Sequence, residues 1–284
     1  MCRLFGFRSV IPSQVHRSLV AADNALAVQS RAHPDGWGVA HYIDGAPHLT
    51  KSASGAMDDA LFRRVSGIVA SETVLAHIRR ATQGPLTVLN SHPFQYGRWV
   101  FAHNGDIPDF ARCRDALEGE IAPRLRRFIL GETDSERLFF LFLTVLSARV
   151  VPRGLAEDPP LGDVIAALSE TVAITRRIAD VDAPSPALLT FLVTNGQSMV
   201  AHQGGRELYY STWKRRCADR DTCPSLARSC EAPTAPGAIG QATRVNHLVI
   251  ASEPLQGENV WTALEPGQIV AVDSRMQLVT AKAS

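Results

Sequence analysis

Apolar positions along the chain change period several times. Between residues 13 and 32 the spacing Val15, Leu19, Ala22 and Leu26 fits one face of a helix. Residues 36–42 then read as a strand that closes on Asp44-Gly45, a dipeptide favoured in two-residue hairpin turns. A short helix is expected over 57–65, followed by strands over 73–78 and 99–103 rich in β-branched, aromatic or aliphatic residues. Asp134 or Ser135 stands where it can cap a helix through Leu138, Leu141, Phe142 and Val145. A second amphipathic helix runs from Asp163 through Ile165, Leu168, Val172 and Ile178, beyond a proline-rich stretch at 152–160.

After Pro186 the pattern is mostly strand: 188–193, a turn at Asn195-Gly196, then 198–202, 207–212, 245–251 and 268–272. Strand runs at both ends with a helical block between them predict an α+β fold, two sheets packed on each other and covered by helices. One compact domain over 2–284 is expected. Residues 215–243 interrupt the strands with Cys217, Cys223, Cys230, prolines and charges, and are expected to form a long surface loop.

Composition narrows the function classes. Of the 284 residues 45% are hydrophobic and 20% charged, with a net charge of +1, which argues against disorder and against nucleic acid as a partner. The apolar runs, such as 188–193 and 139–146, fall far short of the roughly 20 residues a membrane helix needs, so no membrane association is expected. The N-terminus has no signal-peptide pattern, and five scattered cysteines make no disulfide framework; both point to the cytoplasm. Phosphate-loop and dinucleotide fingerprints are absent, and the spacing C-x5-C-x6-C of the 215–243 segment is not that of a zinc site. No cofactor and no metal are expected.

Cys2 is the first feature that composition leaves unexplained. Removal of Met1 leaves a thiol and a free α-amine on one residue, a nucleophile and a base that titrates at about 7.7 to 8. The alternative is an incidental cysteine behind a retained Met1. Further polar groups fall at strand ends and turns, where a rigid scaffold usually displays its chemistry. Asp35-Gly36-Trp37-Gly38 allows a tight turn or a close backbone approach. Arg79 and Arg80 end a strand pointing to opposite faces, so one faces inward and needs an anion, either a structural carboxylate or a ligand. Asn90-Ser91-His92 places a histidine in a turn. Asn104-Gly105 reads as a hairpin turn or as an amide and a backbone N–H converging on an oxyanion. Asp134 can serve a helix end, a ligand ammonium, or both.

Taken together and in this order, the segments around Cys2, Gly36-Trp37-Gly38, Arg79 to Gly84, His92, Asn104-Gly105 and Asp134 resemble the class II glutamine amidotransferases. The glutaminase domain of that family belongs to the N-terminal nucleophile hydrolases. Ser252-Glu253-Pro254-Leu255, Trp261 and Pro266-Gly267 are similar to its small stand-alone branch, in which no synthase domain follows. The resemblance implies a four-layer αββα sandwich and hydrolysis of a γ-glutamyl amide through a Cys2 thioester. It implies Asn104 and the Gly105 N–H as oxyanion donors, Arg79 and Asp134 as partners of the substrate α-carboxylate and α-ammonium, and Thr82 and His92 as further pocket residues. Gln83 departs from relatives that carry His there. Implied partners are glutamine or another γ-glutamyl small molecule and, in some relatives, a separate synthase or peptidase subunit. A different reading is a non-catalytic glutamyl-binding subunit of an amidotransferase complex.

Overall fold

Strand β1 covers Arg3–Gln14, and Leu4, Phe5 and Phe7 in its first half are all buried. A strand covered on both faces shows no period-2 alternation, which hides it from pattern analysis. The computed structural model describes residues 2–151, 154–217, 220–221, 223–234, 237–238 and 243–283. The single helix expected over 13–32 is broken: a wide turn at Arg17–Ala21, helix α1 at Leu26–Gln29 and a 3-10 turn at Ser30–Ala32 replace it. The break falls at Ala22, whose backbone is extended. Beyond it Asn24 directs its side chain to Glu253 and to the backbone of Pro254 and Gln256.

Strand β2 (Trp37–Ile43) turns through Asp44 and Gly45, both at positive φ, into β3 (Ala46–Ser52), the hairpin the sequence predicts. Helix α2 (Ala60–Ile68) starts later than expected because Asp59 caps it, accepting from the Leu61 N–H at 2.9 Å. Next come β4 (Ala70–Ile78), β5 (Phe94–Tyr96) and β6 (Trp99–Asp106). Asn104-Gly105 is not a hairpin turn, since β6 passes straight through it. The helical block is α3 (Phe110–Glu120), α4 (Pro123–Arg126), α5 (Asp134–Arg149) and α6 (Leu161–Ala179). Thr133, rather than Asp134 or Ser135, caps α5: its Oγ1 accepts from the Glu136 N–H at 3.3 Å.

The remaining strands are β7 (Leu188–Thr194), β8 (Met199–His202) and β9 (Tyr209–Ser211). Helix α7 (Pro224–Cys230) and the short β10 (Gly237–Ala238) then precede β11 (Thr243–Arg244) and β12 (His247–Ala251). β13 (Thr262–Ala263), β14 (Gln268–Val272) and β15 (Gln277–Lys282) complete the chain. The segment 215–243 is therefore not loop throughout. Its described part carries α7, tied back by Lys214 N–H to the Cys230 carbonyl and Cys217 N–H to the Glu231 carboxylate, each at 2.8 Å.

The strands form two sheets. One is ordered β13-β9-β12-β1-β4-β2-β3, the other β10-β15-β14-β8-β7-β6-β5 with β11 against β15. Among the described residues all pairings are antiparallel except β10 with β15. Three apolar layers follow from the alternation of side chains across the strands. Leu4 and Leu75 of the first sheet meet Val100, Leu192 and Val270 of the second. Phe5, Trp37 and Val74 face outward onto Phe62 and Val65 of α2, and Phe101 and Phe191 face Leu117, Phe139 and Leu168 of α3, α5 and α6. Helices, sheet, sheet, helices is the αββα sandwich. Among the described residues no helix is long and apolar enough to cross a membrane.

Candidate active site

The central place of β1 in its sheet positions Cys2. β1 pairs with β4 in the register Arg3 to Ile78, which sets Cys2 beside Arg79 and Arg80 just past the end of β4. The Cys2 Sγ lies 3.4 Å from both the Arg80 amide nitrogen and the Arg80 carbonyl oxygen, so it accepts from one and can donate to the other. Burial pushes the thiol pKa up, the Arg80 N–H and the Arg79 charge hold it back, and Asp134 adds to the rise. Such a thiol is protonated near neutrality and becomes a nucleophile only when a base takes its proton.

The two arginines divide as strand alternation predicts: Arg79 is 2% exposed and Arg80 points to solvent. The Arg79 guanidinium donates to the carbonyls of Gln83 at 2.8 Å, Pro85 at 3.2 Å and Gly84 at 3.4 Å. No carboxylate among the described residues forms an ion pair with it. Burial weakens its hold on the proton, while Cys2, Asp35 and Asp134 oppose that. A cation kept dry by carbonyls alone is prepared for an anion that arrives from outside.

Asp134 supplies the opposite charge. Its Oδ2 accepts from the Ile107 N–H at 2.9 Å, and its Oδ1 accepts from the Ser135 N–H at 2.7 Å and hydroxyl at 3.1 Å. Burial raises its pKa; His103 and these donors pull it down, and Asp106 pushes it up.

Asn104 is 3% exposed on β6, with Nδ2 donating to Ser252 Oγ at 3.4 Å and Oδ1 without a partner among the described residues. Ser252 Oγ also accepts from the Leu4 N–H at 2.9 Å, so one hydroxyl ties the amide of Asn104 to the strand that carries Cys2. Next to it, position 105 has no room for a side chain: a Cβ would stand 1.7 Å from the Leu188 carbonyl oxygen and 2.2 Å from His103 Nε2.

Cys2, Arg79, Thr82, His92, Gly105 and Asp134 line one small cavity of about 20 Å³, space for about one water. Six of the seven residues singled out in the sequence meet there, and Asn104 lies buried beside Gly105. His92 is not a solvated loop residue: its ring is buried between His77 and Phe94, with centroids 4.2 and 4.7 Å away, and neither ring nitrogen has a partner among the described residues. The Gly36-Trp37-Gly38 turn is a close approach, since a Cβ at Gly38 would lie 2.2 Å from the His92 carbonyl oxygen. Gln83 donates to Asp106 Oδ1 at 3.3 Å. A larger cavity of about 540 Å³ is lined by Tyr96, Arg98, Arg124 and Leu155 among others, with no cysteine, histidine or carboxylate among the described residues of its wall. His103 and Ser135 also line the small cavity; the sequence pattern marks Ser135 only as a cap candidate and gives His103 no role. A histidine on a strand otherwise reading as core is the signal that could have found the first.

A family described as "Glutamine amidotransferases class-II" matches residues 1–283. The chain is 35% identical, over 99% of its length and 97% of the relative's, to "Gamma-glutamyl-hercynylcysteine sulfoxide hydrolase" of Mycobacterium tuberculosis. It is 30% identical, over 98% of its length and 84% of the relative's, to "Probable glutamine amidotransferase DUG3" of Saccharomyces cerevisiae. Among solved structures, a glutamine aminotransferase class-II domain protein from Silicibacter pomeroyi is 22% identical with a TM-score of 0.65, and both chains are covered in full. The glutamine phosphoribosylpyrophosphate amidotransferase of Bacillus subtilis is 14% identical with a TM-score of 0.60, covering all of this chain and 49% of that one. At such identities these two structures speak for the fold. The chain belongs to the class II glutamine amidotransferase family and is an enzyme of that type.

Proposed function

We propose that the protein hydrolyses the γ-amide bond of a γ-glutamyl compound through a glutamyl thioester on Cys2. The observation that carries this reading is the convergence on one cavity of a thiol, a buried guanidinium held by backbone carbonyls, and a buried carboxylate. A γ-glutamyl group presents a carboxylate and an ammonium at one end and the scissile carbonyl at the other. Arg79 takes the carboxylate and Asp134 the ammonium, with Thr82 and His92 filling the sides. Holding both charges presents the γ-carbonyl to Cys2, an orientation worth about 7 to 11 kcal/mol at its ideal limit.

The α-amine of Cys2, freed when Met1 is removed, accepts the thiol proton; Met1 itself lies outside the described residues. Sulfur attacks the carbonyl, and the developing oxyanion is met by Asn104 Nδ2 and the Gly105 N–H. Collapse expels the amine, which leaves with the proton from the α-amine. Water then hydrolyses the thioester to glutamate and restores the thiol.

The relative named as a γ-glutamyl-hercynylcysteine sulfoxide hydrolase favours a γ-glutamyl metabolite over glutamine as the substrate. The test is release of glutamate from glutamine, glutathione and γ-glutamyl thiol conjugates by the Met-processed protein, with Cys2→Ala as the control. Cys2-dependent cleavage of one conjugate far above glutamine supports a metabolite hydrolase. Activity on glutamine alone, or only when a separate synthase or peptidase subunit is added, makes it an ammonia-supplying subunit. No Cys2-dependent cleavage of any of them by protein whose intact mass shows Met1 removed, with or without an added synthase or peptidase subunit, overturns the hydrolase reading in favour of a non-catalytic glutamyl-binding subunit.

A further inference from the structure

Three hydrogen bonds run in series through the wall of the cavity. His103 Nε2 stands 2.7 Å from the Leu188 carbonyl oxygen, His103 Nδ1 2.9 Å from Ser135 Oγ, and Ser135 Oγ 3.1 Å from Asp134 Oδ1. His103 and Asp134 are both buried, at 1% and 2% exposure. A carbonyl oxygen can only accept, so Nε2 carries a hydrogen. Two contacts remain on either side of Ser135 Oγ, and the serine has one hydrogen to serve them. With a neutral imidazole and an ionised carboxylate, one of the two contacts sets lone pair against lone pair. The series is complete only with one further proton, either on Nδ1 or on the carboxyl oxygen.

We propose that His103 and Ser135 are positioning residues for the ammonium site at Asp134, and that the three residues hold one extra proton in the empty pocket and release it when the substrate α-ammonium binds. The inference rests on Asp134 receiving that ammonium. While the extra proton is present, the group facing an incoming ammonium is neutral overall; once it leaves, a full negative charge remains. Exchange of one positive charge for another keeps the buried site balanced. Burial raises the pKa of Asp134 and lowers that of His103, and each group's charge opposes the effect on the other, as expected of a pair that shares a proton.

Other titratable and charged groups face this chain. Asp106 lies on β6, His77 on β4, Arg79 past its end and His92 before β5, with Cys2 at the head of β1. The α-amine of Cys2 also titrates in the relevant range. None of these groups is a hydrogen-bond partner of Ser135 Oγ, which makes Ser135 the position that isolates the chain from them.

The test uses Met-processed Cys2→Ala protein, which binds without turnover, titrated calorimetrically with glutamine and with glutathione in buffers of different ionisation enthalpy. On binding, about one proton should leave at the acid end of a range from about pH 5 to 8, falling towards none at the alkaline end. In the active enzyme the KM should rise about tenfold per pH unit at the acid end, a dependence separate from the fall in kcat that follows as the Cys2 α-amine takes up a proton. Ser135→Ala in each background should cut proton release by more than about half and flatten the KM profile, and Ser135→Thr, which keeps the hydroxyl, should restore both. A merely structural serine would change stability and leave the proton count as it was. Binding with the same proton release in Ser135→Ala as in its parent, or with none in either, overturns the inference while the γ-glutamyl reading stands. Failure of both compounds to bind at any pH overturns that reading and the inference with it.

Discussion

Asn104 Nδ2 and Ser252 Oγ meet at 3.4 Å although Asn104 lies on β6 and Ser252 follows β12 of the other sheet. Because the same hydroxyl accepts from the Leu4 N–H, the contact links the proposed oxyanion donor to the strand that follows Cys2, the proposed nucleophile. Ser252→Ala should leave the buried Leu4 N–H unpaired and lower stability by about 1 to 3 kcal/mol in denaturant unfolding. With the amide of Asn104 no longer held, kcat should fall about tenfold, roughly 1.4 kcal/mol in the barrier, with KM little changed. A kcat equal to that of the parent would mean that Ser252 serves the fold alone.

The oxyanion role of Asn104 has its own test. Asn104→Ala removes a side-chain donor that interacts with the charge developing in the transition state, so kcat should fall about 100- to 1000-fold and KM should hardly move. Unchanged hydrolysis of the preferred γ-glutamyl compound would remove Asn104 from the mechanism.

Much of this arrangement is written locally in the chain. The hairpin at Asp44-Gly45 follows from turn chemistry, the opposite fates of Arg79 and Arg80 follow from strand alternation, and α5 and α6 follow from their apolar periodicity. Where neighbours distant in sequence decide the structure, local patterns mislead. β1 is covered on both faces and flanked by β4 and β12, so its helix-like continuation at Val15 and Leu19 extended the expected helix across Ala22. α3 carries a charged, weakly periodic sequence and is recruited by Phe110, Cys113 and Leu117 packing under the second sheet. The family resemblance names seven candidate site residues as a set, and the structure brings six of them to one cavity. Contacts such as His103 to Ser135 or Asn104 to Ser252 span 32 and 148 positions and leave no local trace.

Gly105 shows how tightly those distant contacts are packed. Gly105→Ala would drive a methyl group into the Leu188 carbonyl and the ring of His103, neither of which is the free end of a flexible side chain. The strand must shift, at a cost of about 1 to 3 kcal/mol or more, and the N–H assigned to the oxyanion moves with it. Thermal unfolding should show the lower stability, and activity should be lost even at temperatures where the variant remains folded. A variant with parental activity would require the backbone of β6 to be far more accommodating than its contacts allow.

Buried histidines set the acid limit of the fold, His77, His202 and His247 among them. Burial pushes the pKa of His77 down to about 3, that of His202 to about 4 and that of His247 to about 3, where the Lys214 charge adds to the effect. In the unfolded chain a histidine takes up its proton near pH 6.5. Between that value and about pH 3 to 4 the unfolded state binds more protons than the folded one, so stability is fully present above about pH 6.5 and is lost as the pH falls. His247 lies on β12 and does not line the cavity at Cys2, which makes it the position to vary. His247→Gln should reduce the dependence of unfolding free energy on pH by up to about 1.4 kcal/mol per unit below pH 6.5, whatever its effect on stability at neutral pH. Urea unfolding at a series of pH values from about 7 to 5 measures this slope. Equal slopes for the variant and its parent would mean that His247 is protonated in the folded protein as readily as in the unfolded chain.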